Sequence, residues 1–321
     1  MSFMTKFGSF WGMVPVTSGR AFWVAPTATY TVEGQAHVAS NDNDGLSPER
    51  AVRTIDYAIG LTTASVGDVI VLLPGSHSVS ATVTVDVAGI TITGIPGNNI
   101  HNNARRNAGS TRMRSQITST ETAGLIFTVT AADVEISYLH FAPITAGLGI
   151  SASQAADRLY VHDCTFNLGA TTQTATFGIS FPIGGATAEH NINSVISHCY
   201  FEAGANVGPA IRAAGTCDGL TIENSTFRLI GAAAWDDAIE TTQVNLGTLI
   251  RDCDFIHPTT TTTVITDCID ATGGTTDASL HAYRCYFPEG SDAFEATATL
   301  DISCAENYLA TATAGAVTGS V

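Results

Sequence analysis

Apolar and polar residues alternate with period two along short stretches of this chain, and one such stretch recurs with a phenylalanine at its end. It reads VEISYLHF at 134–141, LYVHDCTF at 159–166, SVISHCYF at 194–201, LTIENSTF at 220–227, TLIRDCDF at 248–255 and LHAYRCYF at 280–287. The terminal aromatics are Phe141, Phe166, Phe201, Phe227, Phe255 and Phe287, spaced 25, 35, 26, 28 and 32 residues apart. Five residues before them stand Ile136, Val161, Ile196, Ile222, Ile250 and Ala282; two before them stand Leu139, Cys164, Cys199, Ser225, Cys253 and Cys285. Period two predicts that each copy is a strand with one buried face. Recurrence once per 25–35 residues predicts a solenoid, one coil per copy. A degraded seventh copy, LDISCAEN at 300–307, extends the series.

A second strand series follows the phenylalanines, anchored by Ile150, Ile179, Ile211, Ile239, Ile269 and Phe294. Its last three members share a tetrad: Asp237-Ala-Ile-Glu240, Asp267-Cys-Ile-Asp270 and Asp292-Ala-Phe-Glu295. Stacked coil on coil, these form two carboxylate columns, Asp237/Asp267/Asp292 and Glu240/Asp270/Glu295. Like charges about 5 Å apart repel, so the columns need solvent, protonation or a cation. Three readings follow: a solvated or turn-capping ladder, a site for a hard cation such as Ca²⁺ on all six carboxylates, or an acid/base pair of a glycan-cleaving enzyme.

Ahead of the repeats, earlier coils are predicted at 69–73, 83–85, 90–92 and 125–129. Ser47 as N-cap with Pro48 in the first turn predicts one helix, with Val52, Ile55 and Ile59 on its apolar face and Gly60 at its end. A solenoid needs such a cap over its first coil. Residues 1–38 are rich in aromatics, and Phe7, Phe10, Trp11, Phe22 and Trp23 are candidate partner-docking side chains. The alternative is that this arm folds back along its own solenoid. The expected organisation is an arm over 1–38, a capping loop and helix over 39–62, and the solenoid over 63–321.

Composition narrows the classes. Charged residues make up 13% of the 321 positions while 45% are hydrophobic, which argues for a folded β-rich chain and against disorder. The net charge of −16 is uneven: 8 basic against 7 acidic residues through Arg114, then 5 against 22 from Ser115 onward. The acidic part repels nucleic acid, and the asymmetry suggests that one end docks while the other faces solvent. Arg105, Arg106, Arg112 and Arg114 in the polar stretch 101–114 lack interleaved aromatics and read as a solvated insertion or a clamp for an acidic partner. No run of 18 apolar residues is present, so no membrane span is expected. The 7 cysteines have no metal-ligand spacing and read as small, reduced core side chains. Gly8, Ser9, Gly12 and Pro15 break the only apolar stretch that a signal peptide would need, so synthesis without one is expected.

The runs AFWV at 21–24, NDGLSPERAVRTIDYAI at 43–59 and GDVIVLLPGSH at 67–77 resemble the opening of right-handed parallel β-helix proteins: pectate lyases, polygalacturonases, phage tailspikes and other phage virion proteins. The resemblance covers nearly the whole chain from residue 21. It implies an all-β, single-stranded right-handed parallel β-helix with a short N-terminal capping helix, but not an activity, because this fold hosts enzymes and inert scaffolds alike. Trp235-Asp236-Asp237 is similar to the Asp-Asp element of polygalacturonases, with Trp235 placed to stack on sugar, and Asp236, Asp237, Glu240 and Asp270 are the candidate catalytic residues on that reading. The Gly-His-Gly and Arg-x-Lys of that family are absent. Arg212 precedes Glu240 in its column, as a lyase-like arginine would. His162 is expected at an outward, solvated position beside Glu223 and Arg251, and the other histidines at surface or turn positions. Outward positions Tyr160, Val195 and Leu249 hint at a subunit contact or a covering loop.

The expected function is a non-enzymatic structural protein of a bacteriophage virion, a capsid decoration or fibre-like protein, without a cofactor. Its expected partners are other virion proteins such as the major capsid protein, together with further copies of itself, as in a trimer. It would be made in the host cytoplasm and end in the virion. The rival expectation is a tailspike-like protein that binds or depolymerises polysaccharide.

Overall fold

The computed structural model describes residues 18–95, 115–119, 125–142, 148–169, 177–182, 191–204, 208–215, 217–230, 234–241, 247–257, 264–272, 279–289, 291–296 and 301–309. The Arg-bearing stretch 101–114 and the side chains Phe7, Phe10 and Trp11 lie outside them. Each coil visits three parallel sheets in turn. Among the described residues the first holds ten strands, from Ala21–Val24 to Asp301–Ala305; the second holds nine, from Gly75–Val79 to Tyr308–Leu309; the third holds eight, from Val83–Val85 to Asp292–Ala296. This is the expected right-handed parallel β-helix.

Each Phe-terminated copy proves to be two strands, not one. Glu135–Ser137 belongs to the first sheet and Leu139–Ala142 to the second, and the later copies divide in the same way. A single residue turns the corner between them: Tyr138, Asp163, His198, Asn224, Asp252 and Arg284, with φ between 49° and 55°. The left-handed region is costly for a side chain, so something must hold it there. The corner N–H groups supply that hold, each donating to a carbonyl of the next coil: Asn224 N to Arg251 O at 3.1 Å, Asp252 N to Tyr283 O at 3.0 Å and Arg284 N to Ala305 O at 3.2 Å. Glu306, with φ 56°, turns the same corner in the seventh copy. At exposed Asn224, glycine should leave thermal stability unchanged or raise it, whereas valine should cost about 1–2 kcal/mol.

Inside the second sheet the phenylalanines form one column. Consecutive ring centroids lie 4.6, 4.8, 5.1, 5.0 and 5.2 Å apart from Phe141 to Phe287, with interplanar angles of 15° or less. Every ring is buried, and the backbone register continues from Phe287 to position 309 in the last coil. Glycine leaves room for it: a Cβ on Gly149 or Gly178 would come within 3.2 Å of the Phe166 or Phe201 ring and closer still to the next coil's backbone. A column of small side chains, one residue past each corner, runs beside it. Cys164, Cys199, Cys253 and Cys285 are buried free thiols whose sulfurs approach carbonyls of the preceding coil, such as Cys164 Sγ to Ile136 O at 3.7 Å. Ser225 fills one gap by donating to Glu223 O at 2.9 Å, and Asn307 ends the column by accepting from Cys285 N at 2.9 Å. Burial raises the thiol of Cys199 to about 12 and that of Cys164 well above its usual range. An impermeant thiol reagent should therefore label Cys304, which is half-buried, before the six buried cysteines.

The cap differs from the expected single helix. Pro48–Arg50 is one 3₁₀ turn, Ala51 and Val52 return to extended backbone, and the α-helix occupies Ile55–Leu61. Thr54, not Ser47, caps it, accepting from Tyr57 N at 3.3 Å. Val52 instead bridges the first strand: Val52 N donates to Trp23 O at 2.8 Å, and Ala25 N to Val52 O at 3.0 Å. The strand edge is thereby covered by chain, as an open edge requires. Phe22 and Trp23 sit in that strand at 2% and 1% exposure, so they fill the core and are closed to a docking partner.

Candidate functional site

The two carboxylate columns form as the repeat alignment requires. Asp237 pairs in register with Asp267 and Asp267 with Asp292, while Arg212, Glu240, Asp270 and Glu295 line up in the next column. They ride on Trp235–Thr241, Ile265–Ala271 and Asp292–Ala296 of the third sheet. Ala238 and Ile239, adjacent in sequence, are both in the core, and so are Cys268 and Ile269. Strict alternation is therefore broken there. That break leaves Asp237 and Glu240, three residues apart, both half-buried at the surface.

Crowding and burial set the electrostatics. Burial, reinforced by Asp270, Asp236, Asp267 and Glu240, pushes the Asp237 carboxyl up to about 7. Asp267, 8% exposed, is pushed to about 6 by burial and by Glu295, Asp292, Asp270 and Asp236. Glu240 is also raised, since burial outweighs its arginine. Arg212 Nε donates to Glu240 Oε1 at 3.1 Å, and its guanidinium lies 4.8 Å over the Phe177 ring. Asp270 Oδ1 accepts from Thr272 N at 2.8 Å, a turn-capping bond.

The structure brings together Asp236, Asp237, Glu240 and Asp270 but withdraws their expected aromatic partner. Trp235 is fully buried, and its indole N–H donates to Gly208 O at 3.1 Å, so it has no face for a sugar. Among the described residues no group of three or more His, Cys, Asp or Glu side chains is arranged to hold a metal ion. The columns share a register, yet their oxygens do not converge on a point, and this lends the Ca²⁺ alternative on Asp237, Asp267, Asp292, Glu240, Asp270 and Glu295 no support.

A second polar cluster escaped the sequence reading. His162 is clamped, with Nδ1 donating to Asp163 Oδ2 at 2.9 Å and Nε2 to Glu135 Oε1 at 3.1 Å. It stacks on Tyr160 at 4.2 Å and meets the edge of Tyr138 at 5.8 Å. Its side chain is only 13% exposed, not solvated as expected. Burial disfavours the imidazolium, but the two carboxylates outweigh it and hold the group up to about 9. The sign is therefore stabilising below the unfolded value near 6.5, and the contribution disappears as pH rises through about 9. Replacing His162 by glutamine should lower the melting temperature at pH 7 and make the loss smaller above pH 10, measured by a pH series of thermal melts (about 1–3 kcal/mol for a charged hydrogen-bonded group). Nearby, Arg251 Nε donates to Glu223 Oε2 at 2.7 Å and Ser197 Oγ to Glu223 Oε1 at 3.2 Å. In the outward row Tyr160 is exposed while Val195 and Leu249 are half-buried. His77 also departs from expectation: it is 4% exposed and faces the interior.

No protein-family model matches this chain, and no curated protein matches it. Its likeness is to solved structures. The Escherichia coli protein ybhc superposes with a TM-score of 0.61 at 10% identity, over 92% of this chain and 87% of that one. A pectin methylesterase solved with a hexasaccharide gives 0.57 at 12% identity, over 94% and 92%. Pectin methylesterase PemA from Erwinia chrysanthemi gives 0.54 at 11% identity, again over 94% and 92%. At such identities the likeness is one of fold: the chain is a right-handed parallel β-helix of the architecture that these solved structures share.

Proposed function

We propose that this chain is a non-enzymatic structural component of a bacteriophage virion, a capsid decoration or fibre-like β-helix that docks through its N-terminal end and associates with copies of itself. The observation that carries the non-enzymatic reading is the fate of the groups a glycan-cleaving site would use. Trp235 is in the core, Arg212 is held by Glu240 and Phe177, and Asp270 caps a turn. What remains is an unbroken stack of coils, a stiff rod suited to bridging or decorating a lattice. The virion setting is supported by the resemblance of residues 21–77 and by the aromatic Phe7, Phe10 and Trp11 ahead of the rod. Mass spectrometry of purified particles of the phage that encodes the chain is the test. Stoichiometric recovery with capsid or tail proteins is expected, and its absence from intact particles overturns the setting. Light scattering of the purified chain should give a multiple of 33.3 kDa, three on the trimeric reading.

One observation favours a second reading, a polysaccharide-binding or depolymerising protein. Asp237, held up to about 7, is partly protonated at neutrality, as a general acid must be. The solved relative with a bound hexasaccharide shows that this architecture takes glycans in that protein.

A further inference from the structure

The column of small side chains is interrupted at Ser225 and ended at Asn307, which sets Cys253 and Cys285 apart as a pair in adjacent coils. The pair lies inside the rod and is independent of the carboxylate columns and of the function proposed above. Tyr286 N donates to Cys253 O at 2.9 Å, and Asp254 and Tyr286, the residues that follow, pair in register. Cys253 and Cys285 therefore stand directly opposite each other, about 4.8 Å apart along the rod. Both are fully buried. Each sulfur leans toward the preceding coil, Cys253 Sγ to Ile222 O at 3.8 Å and Cys285 Sγ to Ile250 O at 3.9 Å. That lean carries the Cys285 sulfur onto the Cys253 thiol, and the two hydrogen-bond.

The two thiols are not equivalent. The hydrogen bond from Cys253 lowers the Cys285 thiol below its usual value, against its burial. Burial, with Cys285 as a further cause, raises the Cys253 thiol well above its own. Cys164 and Cys199, also in adjacent coils, lack this division, since burial raises both. A lowered thiol beside a protonated one is the pairing of an attacking and a resolving cysteine. Solvent comes within one coil of the pair, because half-buried Cys304 sits in the strand next to Ser279–Tyr283. The coil spacing also sets the kind of disulfide. Cα atoms about 4.8 Å apart lie inside the usual range of about 4.4–6.8 Å, but Cβ atoms held at the same spacing exceed the usual maximum of about 4.5 Å. Such a bond is strained and readily reduced, which suits a switch and not a permanent staple.

We propose that Cys253 and Cys285 form a peroxide-responsive disulfide that clamps the strands at 248–257 to those at 279–287 when oxidised and frees them when reduced. The Cys285 thiolate attacks one oxygen of hydrogen peroxide, and the O–O bond breaks to give Cys285 sulfenic acid and hydroxide. The Cys253 sulfur then attacks the sulfenic sulfur. An S–S bond forms, and the hydroxyl leaves with the Cys253 proton as water. Two thiols thus lose two electrons and two protons, and one peroxide becomes two waters. A dithiol reverses the step by exchange.

The full chain is treated with hydrogen peroxide, its remaining thiols are blocked, and its unreduced peptides are read by tandem mass spectrometry. A Cys253–Cys285 crosslink should form and disappear with dithiothreitol. Hydrogen exchange of the amides at 248–257 and 279–287 should slow on oxidation and recover on reduction. Cys285→Ser should abolish the crosslink. Cys253→Ser should strand the sulfenic acid, raising dimedone labelling of Cys285 about tenfold over the parent. Ser225 already occupies this column, so both variants should melt as folded proteins. Four results overturn the switch: no Cys253–Cys285 crosslink, a crosslink of Cys285 to Cys268 or Cys304 in its place, a Cys164–Cys199 crosslink that forms as fast, or unchanged dimedone labelling in Cys253→Ser. Unchanged amide exchange in the crosslinked chain overturns the clamp.

Discussion

Phe227→Ala should be among the most damaging single truncations in the chain. The ring is fully buried and stacked on both faces, 5.1 Å from Phe201 and 5.0 Å from Phe255. Removing a buried phenylalanine costs about 3–5 kcal/mol through lost transfer energy and the cavity left behind. The two stacking contacts add about 0.5–1.5 kcal/mol each. Domains are stable by only about 5–15 kcal/mol, so urea denaturation should find the variant close to unfolded at 25 °C. Backbone relaxation cannot close the hole, because the rise between coils is fixed by ladders on three sheets. Phe287→Ala should cost less, since among the described residues that ring stacks on one phenylalanine only, Phe255, and meets Phe294 tilted at 60°. A ranking with Phe287 above Phe227 would contradict the stack as the spine of the fold.

Asp237→Asn should stabilise the protein at neutral and alkaline pH and do nothing at pH 4. The direction follows from proton linkage. Asp237 titrates near 7 when folded and near 3.8 when unfolded, so between these values the folded chain holds the extra proton. Its contribution is fully present below pH 3.8 and is lost as pH rises through about 7. Asp267, titrating near 6, adds in the same direction over a narrower window. The parent should therefore lose stability from pH 4 to pH 8, and asparagine at 237 should remove much of that slope, a gain of about 1–3 kcal/mol at pH 8 after allowing for solvent at this half-buried site. His162 contributes a loss of the same sign at higher pH, so the difference between parent and variant, not the parent curve alone, is the quantity to compare. Thermal melts of both proteins across pH 4–9 measure it. A destabilised Asp237→Asn at pH 8 would mean that the carboxylate is held by a partner that the columns do not provide.

The repeats were readable because a solenoid writes its core once per coil. The Phe column, the Cys/Ser column and both carboxylate columns emerged in register from alignment of the copies with one another. The corner residue was not readable, because Tyr138, His198 and Arg284 are poor predictors of a left-handed conformation. What places them there is a hydrogen bond from the next coil, a non-local cause. The helix start was misplaced for a similar reason: Ser47-Pro48 is a good local signal, but pairing of Val52 with the first strand overrides it. Trp235 and Phe22 show the limit of reading aromatics as ligand or partner platforms. A bulky ring in a strand is core unless its neighbours leave it uncovered, and that is settled only when the coils stack. The clamp on His162 needed the diagonal neighbour Glu135, one coil earlier and two positions off register, which the column alignment does not display.

We propose that the carboxylate columns are part of the scaffold and not a catalytic pair. Incubation of the purified chain with pectin, alginate and host capsular polysaccharide, read by reducing ends and by absorbance of unsaturated products, tests it most directly. No cleavage above the buffer control is expected for the parent or for Asp237→Asn. Turnover by the parent that vanishes in Asp237→Asn, with both proteins folded, would contradict it.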